Sequence, residues 1–345
     1  MDTEQDRPID DYLWDPSATS SPEVEAVERQ LAPLRFDSSK RPLSLEAAPA
    51  VRPIVRLRPL LAIAATLALV AVGTGAILSW RLAWRTGAAW TAEIENASQS
   101  TARVETRLTV GEPLQLTSTN SARVNIARIG TMQVAPDSAI TLTETTATRH
   151  RVVLDRGSVN VRIWAPPGMF GLRTPAGMVR DLGCVFDLTV DTEGTAHLHV
   201  DTGWVEMDND FGESLVPAGA VALMRRLSRP GVPIFEDASD AFARAVRAAQ
   251  DGGDAAERRE MDTIVRTARR HDTLTLLMLA NVSASDMKRP LLTRAAELWP
   301  PPQGVSVDGI VAGDREQLWK WHSTLDLPPV KNWWRNWRDA LPWRR

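Results

Sequence analysis

Apolar side chains follow different periods in successive parts of the chain. Residues 59–80, PLLAIAATLALVAVGTGAILSW, run for 22 positions without a charge, between Arg58 and Arg81. A helix of about 20 apolar residues crosses the hydrocarbon core, so this run is expected to be one transmembrane helix. It starts too far into the chain to be a cleaved signal peptide. Trp80, Trp84 and Trp90 follow it as an interfacial aromatic belt would. Over 100–235 the pattern shortens to alternating runs separated by Gly, Pro, Asp and Asn: ARVNIARI (122–129), AITLTE (139–144), HRVVLD (150–155), GSVNVRIW (157–164), CVFDLTV (184–190), TAHLHVD (195–201) and WVEMD (204–208). Many short strands at near-regular spacing predict an all-β sandwich, barrel or roll.

From 237 to 345 the period becomes helical. Phe242, Val246 and Ala249 share one face of DASDAFARAVRAAQ, and EMDTIVRTARR, TLTLLMLANV and KRPLLTRAAELW follow before PPPQG (300–304) breaks the series. Ahead of the apolar run, Val24, Val27, Leu31 and Leu34 recur at spacings of three and four, one face of a short helix, with Ser21 as its cap and Pro22 at its first position. The stretch RPLSLEAAPAVRPIVRLRP holds four prolines and makes 41–58 a linker. The expected fold class is therefore mixed. It comprises a short cytoplasmic tail (1–40), a transmembrane helix (59–80), an all-β region (100–235) and an α-helical, Trp-rich C-terminal region (237–345).

Charge sets the expected orientation. Arg35, Lys40, Arg41, Arg52, Arg56 and Arg58 precede the apolar run, whereas only Arg81 and Arg85 follow it closely. Basic residues stay in the cytoplasm. This predicts a single-pass inner-membrane protein with a cytoplasmic N-terminus and periplasmic C-terminal domains. The first 31 residues carry nine acidic and two basic side chains, and the formal net charge of −3 argues against direct nucleic-acid binding. One cysteine among 345 residues excludes an internal disulfide. Six of the 13 tryptophans lie between Trp319 and Trp343. The terminal WWRNWRDALPWRR suits either a membrane interface or a cap on the helical region, with Trp333 and Trp337 on one face.

Candidate chemistry is sparse. Cys184 shares its parity with Phe186, Leu188 and Val190, so it is expected in the core as a small hydrophobe, without the base a nucleophile needs. His197 and His199 lie two apart on one face of a predicted strand, with Leu198 and Val200 facing inward; no third ligand is evident, and an exposed polar face is expected. His150, His271 and His322 show no ligand spacing. Acidic residues scatter through turns, and neither a phosphate-binding Gly-rich loop nor a nucleophile elbow occurs. The expectation is no catalytic, metal or cofactor site, and no enzyme.

HRVVLDRGSVNVRIW, FGLRTP, MVRDLGCVFDLTV, HVDTGWVEM and SLVPAGAVAL occur in order over about 75 residues. This series resembles the FecR-type domain of membrane-bound sigma-factor regulators. The matching positions are Arg151, Leu154 and Gly157; Phe170, Leu172 and Thr174; Leu182, Gly183, Phe186 and Leu188; Gly203 and Val205; and Gly219. Cys184 stands where the family usually has threonine, and the helical C-terminal region differs from the small β-α-β module of receptor-coupled members. The residues themselves read as structural, with Gly157, Gly183 and Gly203 at strand ends where positive φ is needed. The resemblance implies an anti-sigma-like role. Residues 1–40 would grip an extracytoplasmic-function sigma factor through Tyr12, Trp14 and the Val24, Val27, Leu31, Leu34 face. The β-domain would receive a signal from an envelope protein or ligand. The alternative is an anchored envelope scaffold whose β-domain binds protein or glycan.

Overall fold

The computed structural model describes residues 22–35, 57–96 and 103–329. The chain divides between Leu69 and Val70 into two compact units. In the first, Pro22 opens helix α1 (Pro22–Leu31), and a single 3-10 turn, Ala32–Leu34, ends it. Proline suits that first position because its missing N–H would have no helical partner there. The linker 41–56, Tyr12 and Trp14, and Trp333 and Trp337 lie outside the described residues.

The charge-free run forms helix α2 (Leu57–Leu82). Among the described residues, however, no helix is long and apolar enough to cross a membrane. This corrects the expected transmembrane helix, and with it the inner membrane as a partner and the single-pass placement with periplasmic domains. Absence of charge overstated the apolar character. Residues 59–80 include six alanines, two glycines, two threonines and one serine, which carry little apolar area to remove from water. Thr66, Thr74 and Ser79 hydroxyls turn back to the carbonyls of Ile63, Val70 and Ala76. The expected tryptophan belt is also replaced. Arg128 stacks over Trp80 at 4.2 Å, lies 5.6 Å from Trp84, and donates to the carbonyls of Trp80 and Ala83. Trp90 is fully buried and donates from Nε1 to Thr145 Oγ1 at 3.0 Å.

Among the described residues, fifteen strands form one connected sheet. They are β1 (Trp90–Asn96), β2 (Arg103–Leu108), β3 (Pro113–Gln115), β4 (Asn120–Ile126), β5 (Gly130–Val134), β6 (Ala139–Thr145) and β7 (His150–Ile163). Next come β8 (Phe170–Thr174), β9 (Gly177–Asp181), β10 (Val185–Val190), β11 (Ala196–Thr202), β12 (Trp204–Asn209), β13 (Gly212–Pro217), β14 (Ala220–Met224) and β15 (Ile234–Phe235). Its main path runs β13-β12-β9-β8-β7-β10-β11-β14-β15. Pairing is antiparallel except between β7 and β8, which makes the sheet mixed.

β7 is the hinge of this architecture. Its first half pairs with β6 and β8, its second with β5 and β10. The sequence read HRVVLD and GSVNVRIW as two strands, but they are one strand of 14 residues. His150, Val152 and Leu154 are buried in the first half and Val159, Val161 and Ile163 in the second, so the buried parity changes from even to odd. The change falls where Ala139 pairs with Arg156 but Ile140 pairs with Leu154, leaving Asp155 bulged. Gly157 follows at φ +92, and a Cβ there would lie 2.2 Å from Ser138 Oγ. Only glycine fits this corner.

Ser239 caps helix α3 (Asp240–Thr267), its hydroxyl accepting from Phe242 N. Phe242, Val246 and Ala249 are buried. The two helices read from 237–270 are joined across a kink at Gly253 (φ 64, ψ −161). Helix α4 (Thr273–Val282) is buried continuously from Thr273 to Ala280, while α5 (Ser285–Leu298), α6 (Val307–Val311) and α7 (Arg315–His322) complete the described helices. A single apolar cluster runs from Trp90 through the strands to Trp321 of α7.

Candidate functional site

The partner-binding residues expected in the tail fall into two groups. Tyr12 and Trp14 lie outside the described residues. On α1 and its terminal turn, Val24 is half-buried, while Val27, Leu31 and Leu34 are 54%, 53% and 79% exposed. Their spacing places an apolar stripe on a helix whose first turn carries Glu23 and Glu25.

The residues that carry the family resemblance act inside the fold. Arg151 donates to the carbonyls of His150, Gly168 and Met169, tying the loop after β7 to the start of that strand; burial pulls its pKa down. Leu154, Phe170, Leu172, Phe186, Leu188 and Val205 are fully buried. Thr174 clamps the β8–β9 hairpin by donating to Gly177 O and accepting from the N–H groups of Ala176 and Gly177. Leu182 is half-buried. Gly183 and Gly203, at φ +93 and +79, meet closely: a Cβ on Gly203 would lie 2.5 Å from the Gly183 carbonyl. Gly219 takes φ +76 in a turn with open space around it. These positions make turns and core, and none of them lines the cavity described next.

The outward face of β7, β10, β11 and β14 carries a polar row set by register. Asn160 pairs with Asp187, Asp187 with His199, and His199 with Val221. Asn160 Nδ2 donates to Asp187 Oδ1 at 2.9 Å. His199 Nδ1 lies 3.5 Å from Asp187 Oδ2 and 3.7 Å from Asp201 Oδ1, and its Nε2 lies 3.1 Å from Glu236 Oε1. Asp201 is the extra residue of a β-bulge, since Val185 pairs with Thr202 and Phe186 with Val200. Bulges commonly re-aim side chains beside functional sites. Asp187 and His199 also line a cavity of about 430 Å³, together with Thr189 and His197 from the sheet and Arg247 and Gln250 from α3.

The histidine pair noticed in the sequence is thus divided. His197 Nε2 bonds Asp191 Oδ2 at 3.0 Å, and this bond, with the Thr195 N–H, holds the Asp191 carboxyl below its ordinary range. His199 instead gathers Asp187, Asp201 and Glu236, the carboxylates that no local spacing revealed. A signal for one of them existed. A hairpin turning over Asp191–Gly194 sets Asp187 opposite His199, and the inward Phe186 and Leu188 force Asp187 outward.

Cys184 is fully buried beside Asp181, which is also fully buried. The Cys184 N–H donates to Asp181 Oδ1 at 2.8 Å, and its thiol donates to the same oxygen. The parity of Phe186 and Leu188 predicts an inward cysteine, but nothing in that pattern predicts the buried carboxylate beside it.

No family model and no curated protein matches the chain. Among solved structures, two crystal structures of a candidate anti-sigma factor from Parabacteroides distasonis ATCC 8503 are similar to it, each at 18% identity over 40% of this chain with a TM-score of 0.32. The match covers 65% and 64% of those chains, just under two-thirds of their length.

Proposed function

We propose that this protein is an anti-sigma-like regulator that acts by binding rather than by catalysis. The N-terminal segment holds an extracytoplasmic-function sigma factor, and the β-sheet region receives the signal that changes this hold. The observation that carries the reading is the exposed stripe of Val27, Leu31 and Leu34 on an acidic helix. An amphipathic helix laid into a partner's groove is a common recognition mode. The ordered FecR-type series from Arg151 to Gly219 supplies the rest of the support.

Co-purification of the full chain with each extracytoplasmic-function sigma factor of its cell of origin tests the reading. One sigma factor should be captured, and Val27→Asp with Leu31→Asp should weaken capture at least tenfold, as removal of interface hot spots does, without lowering the melting temperature. Capture of none, or capture unchanged by the double variant, rejects it.

A further inference from the structure

The surroundings of His199 pose a problem of charge. Nε2 is at hydrogen-bonding distance from Glu236 Oε1, 3.1 Å. A proton on Nε2 directed at that carboxylate leaves the Nδ1 lone pair facing two further carboxylates. Those carboxylates stand 3.5 and 3.7 Å from Nδ1, outside the roughly 2.7–3.2 Å of a hydrogen bond. Three acceptors converging without a donor repel one another unless a cation lies among them.

The separations fit such a cation. Ligand atoms about 2.0–2.1 Å from a tetrahedral zinc lie roughly 3.4 Å from one another. Nδ1, a carboxylate oxygen of Asp187 and one of Asp201 all lie within 4.8 Å of each other. A histidine whose second nitrogen is held by a carboxylate, here Glu236, is the usual arrangement of a metal-bound imidazole, because that bond fixes tautomer and ring orientation. Asn160 holds the other oxygen of Asp187 in the same way. One imidazole with two carboxylates suits zinc and its transition-metal neighbours better than magnesium or calcium, which take oxygen ligands. The three groups are half-exposed, so an ion can reach them, and two of the three line the 430 Å³ cavity. We propose that Asp187, His199 and Asp201 form a binding site for a zinc-class divalent cation, oriented by Glu236 and Asn160, with a coordination position left for water or a ligand.

Zinc titration of the metal-free full chain by calorimetry tests this site. The expected result is one zinc per chain. His199→Gln and Asp187→Asn should each weaken binding at least tenfold, Glu236→Gln about tenfold, and millimolar magnesium should not compete. Melting curves of the zinc-free variants should match wild type, which shows that a lost signal is not lost folding. Independently of any variant, Co²⁺ on the wild-type chain should give visible d–d absorption that zinc abolishes. Three results would overturn the site: no stoichiometric zinc binding, binding unchanged in His199→Gln, or binding lost only in His197→Gln. An imidazole that is doubly protonated at neutral pH, with no zinc uptake, would show that a proton fills the role instead.

Discussion

The two faces of β10 carry different chemistry one residue apart. Phe186, Leu188 and Val190 point inward and are sealed at 0%, 0% and 2% exposure. Asp187 and Thr189 point outward into the polar row and the cavity. Both faces are held by the same ladder to β7 and β11. A period of two therefore separates what stabilises the domain from what can bind, and a substitution's consequence should depend on parity more than on position along the strand.

The sharpest way to break this comparison is at neighbouring residues. Phe186 pairs laterally with Val161 and Val200, both fully buried. Phe186→Ala should cost about 3–5 kcal/mol of stability through lost transfer energy and the cavity left behind. Asp187→Asn, on the outer face, should stay within about 0.5 kcal/mol in zinc-free buffer. Urea denaturation of the two variants measures both. Equal losses would mean that the outer row is part of the fold and not a separate surface.

A histidine on each face sharpens the comparison further. His199 sits among carboxylates outside, whereas His150 is fully buried on β7. It meets the Trp90 ring edge-on and bonds Thr145 Oγ1 through Nδ1 at 2.8 Å. Its Nε2 has no hydrogen-bond partner among the described residues. Burial first, and Arg151 second, push its pKa down from 6.5 to about 4. The unfolded chain therefore takes up this proton at higher pH than the folded one. Stability should be full above pH 6.5 and fall as pH drops to about 4, by on the order of 3 kcal/mol. His322, also lowered by burial, adds in the same direction, and Glu257, raised by burial, opposes it. The depressed carboxylates of Asp191, Asp237 and Asp314 lose their contribution only below their unfolded value of 3.8. Denaturation at pH 7 and pH 4.5 should show a smaller difference for His150→Gln than for wild type. An equal difference would remove His150 as the cause.

Where alternation was unbroken, the chain was legible. The strands around Phe186, Leu198 and Val205 follow from parity alone, as does the inward Cys184. Alternation failed at β7, because the Asp155 bulge and Gly157 reverse the buried parity inside one strand and so imitate two. It failed differently in α2, where a count of uncharged positions stood in for apolar area. The cluster at His199 was half legible. The histidines showed their shared face, but Asp187, Asp201 and Glu236 arrive from a neighbouring strand, a bulge and the residue after β15. Such groupings belong to register, which one strand's pattern cannot supply.

A smaller loss than at Phe186 or His150 is expected at Cys184, at the inward entrance to β10. Its thiol and its N–H both donate to the buried Asp181 carboxylate. Threonine keeps a donor where the thiol stands, so Cys184→Thr should change stability by less than about 1 kcal/mol. Valine has a similar shape but no donor. Cys184→Val takes one hydrogen bond from a carboxylate that water does not reach, which should cost about 1–3 kcal/mol. Melting temperatures of the two variants separate these outcomes. If valine were tolerated as well as threonine, the side chain at 184 would serve only to fill space. If valine alone destabilises, the inner face of β10 depends on one polar contact, and the division between its two faces is less complete than parity alone suggests.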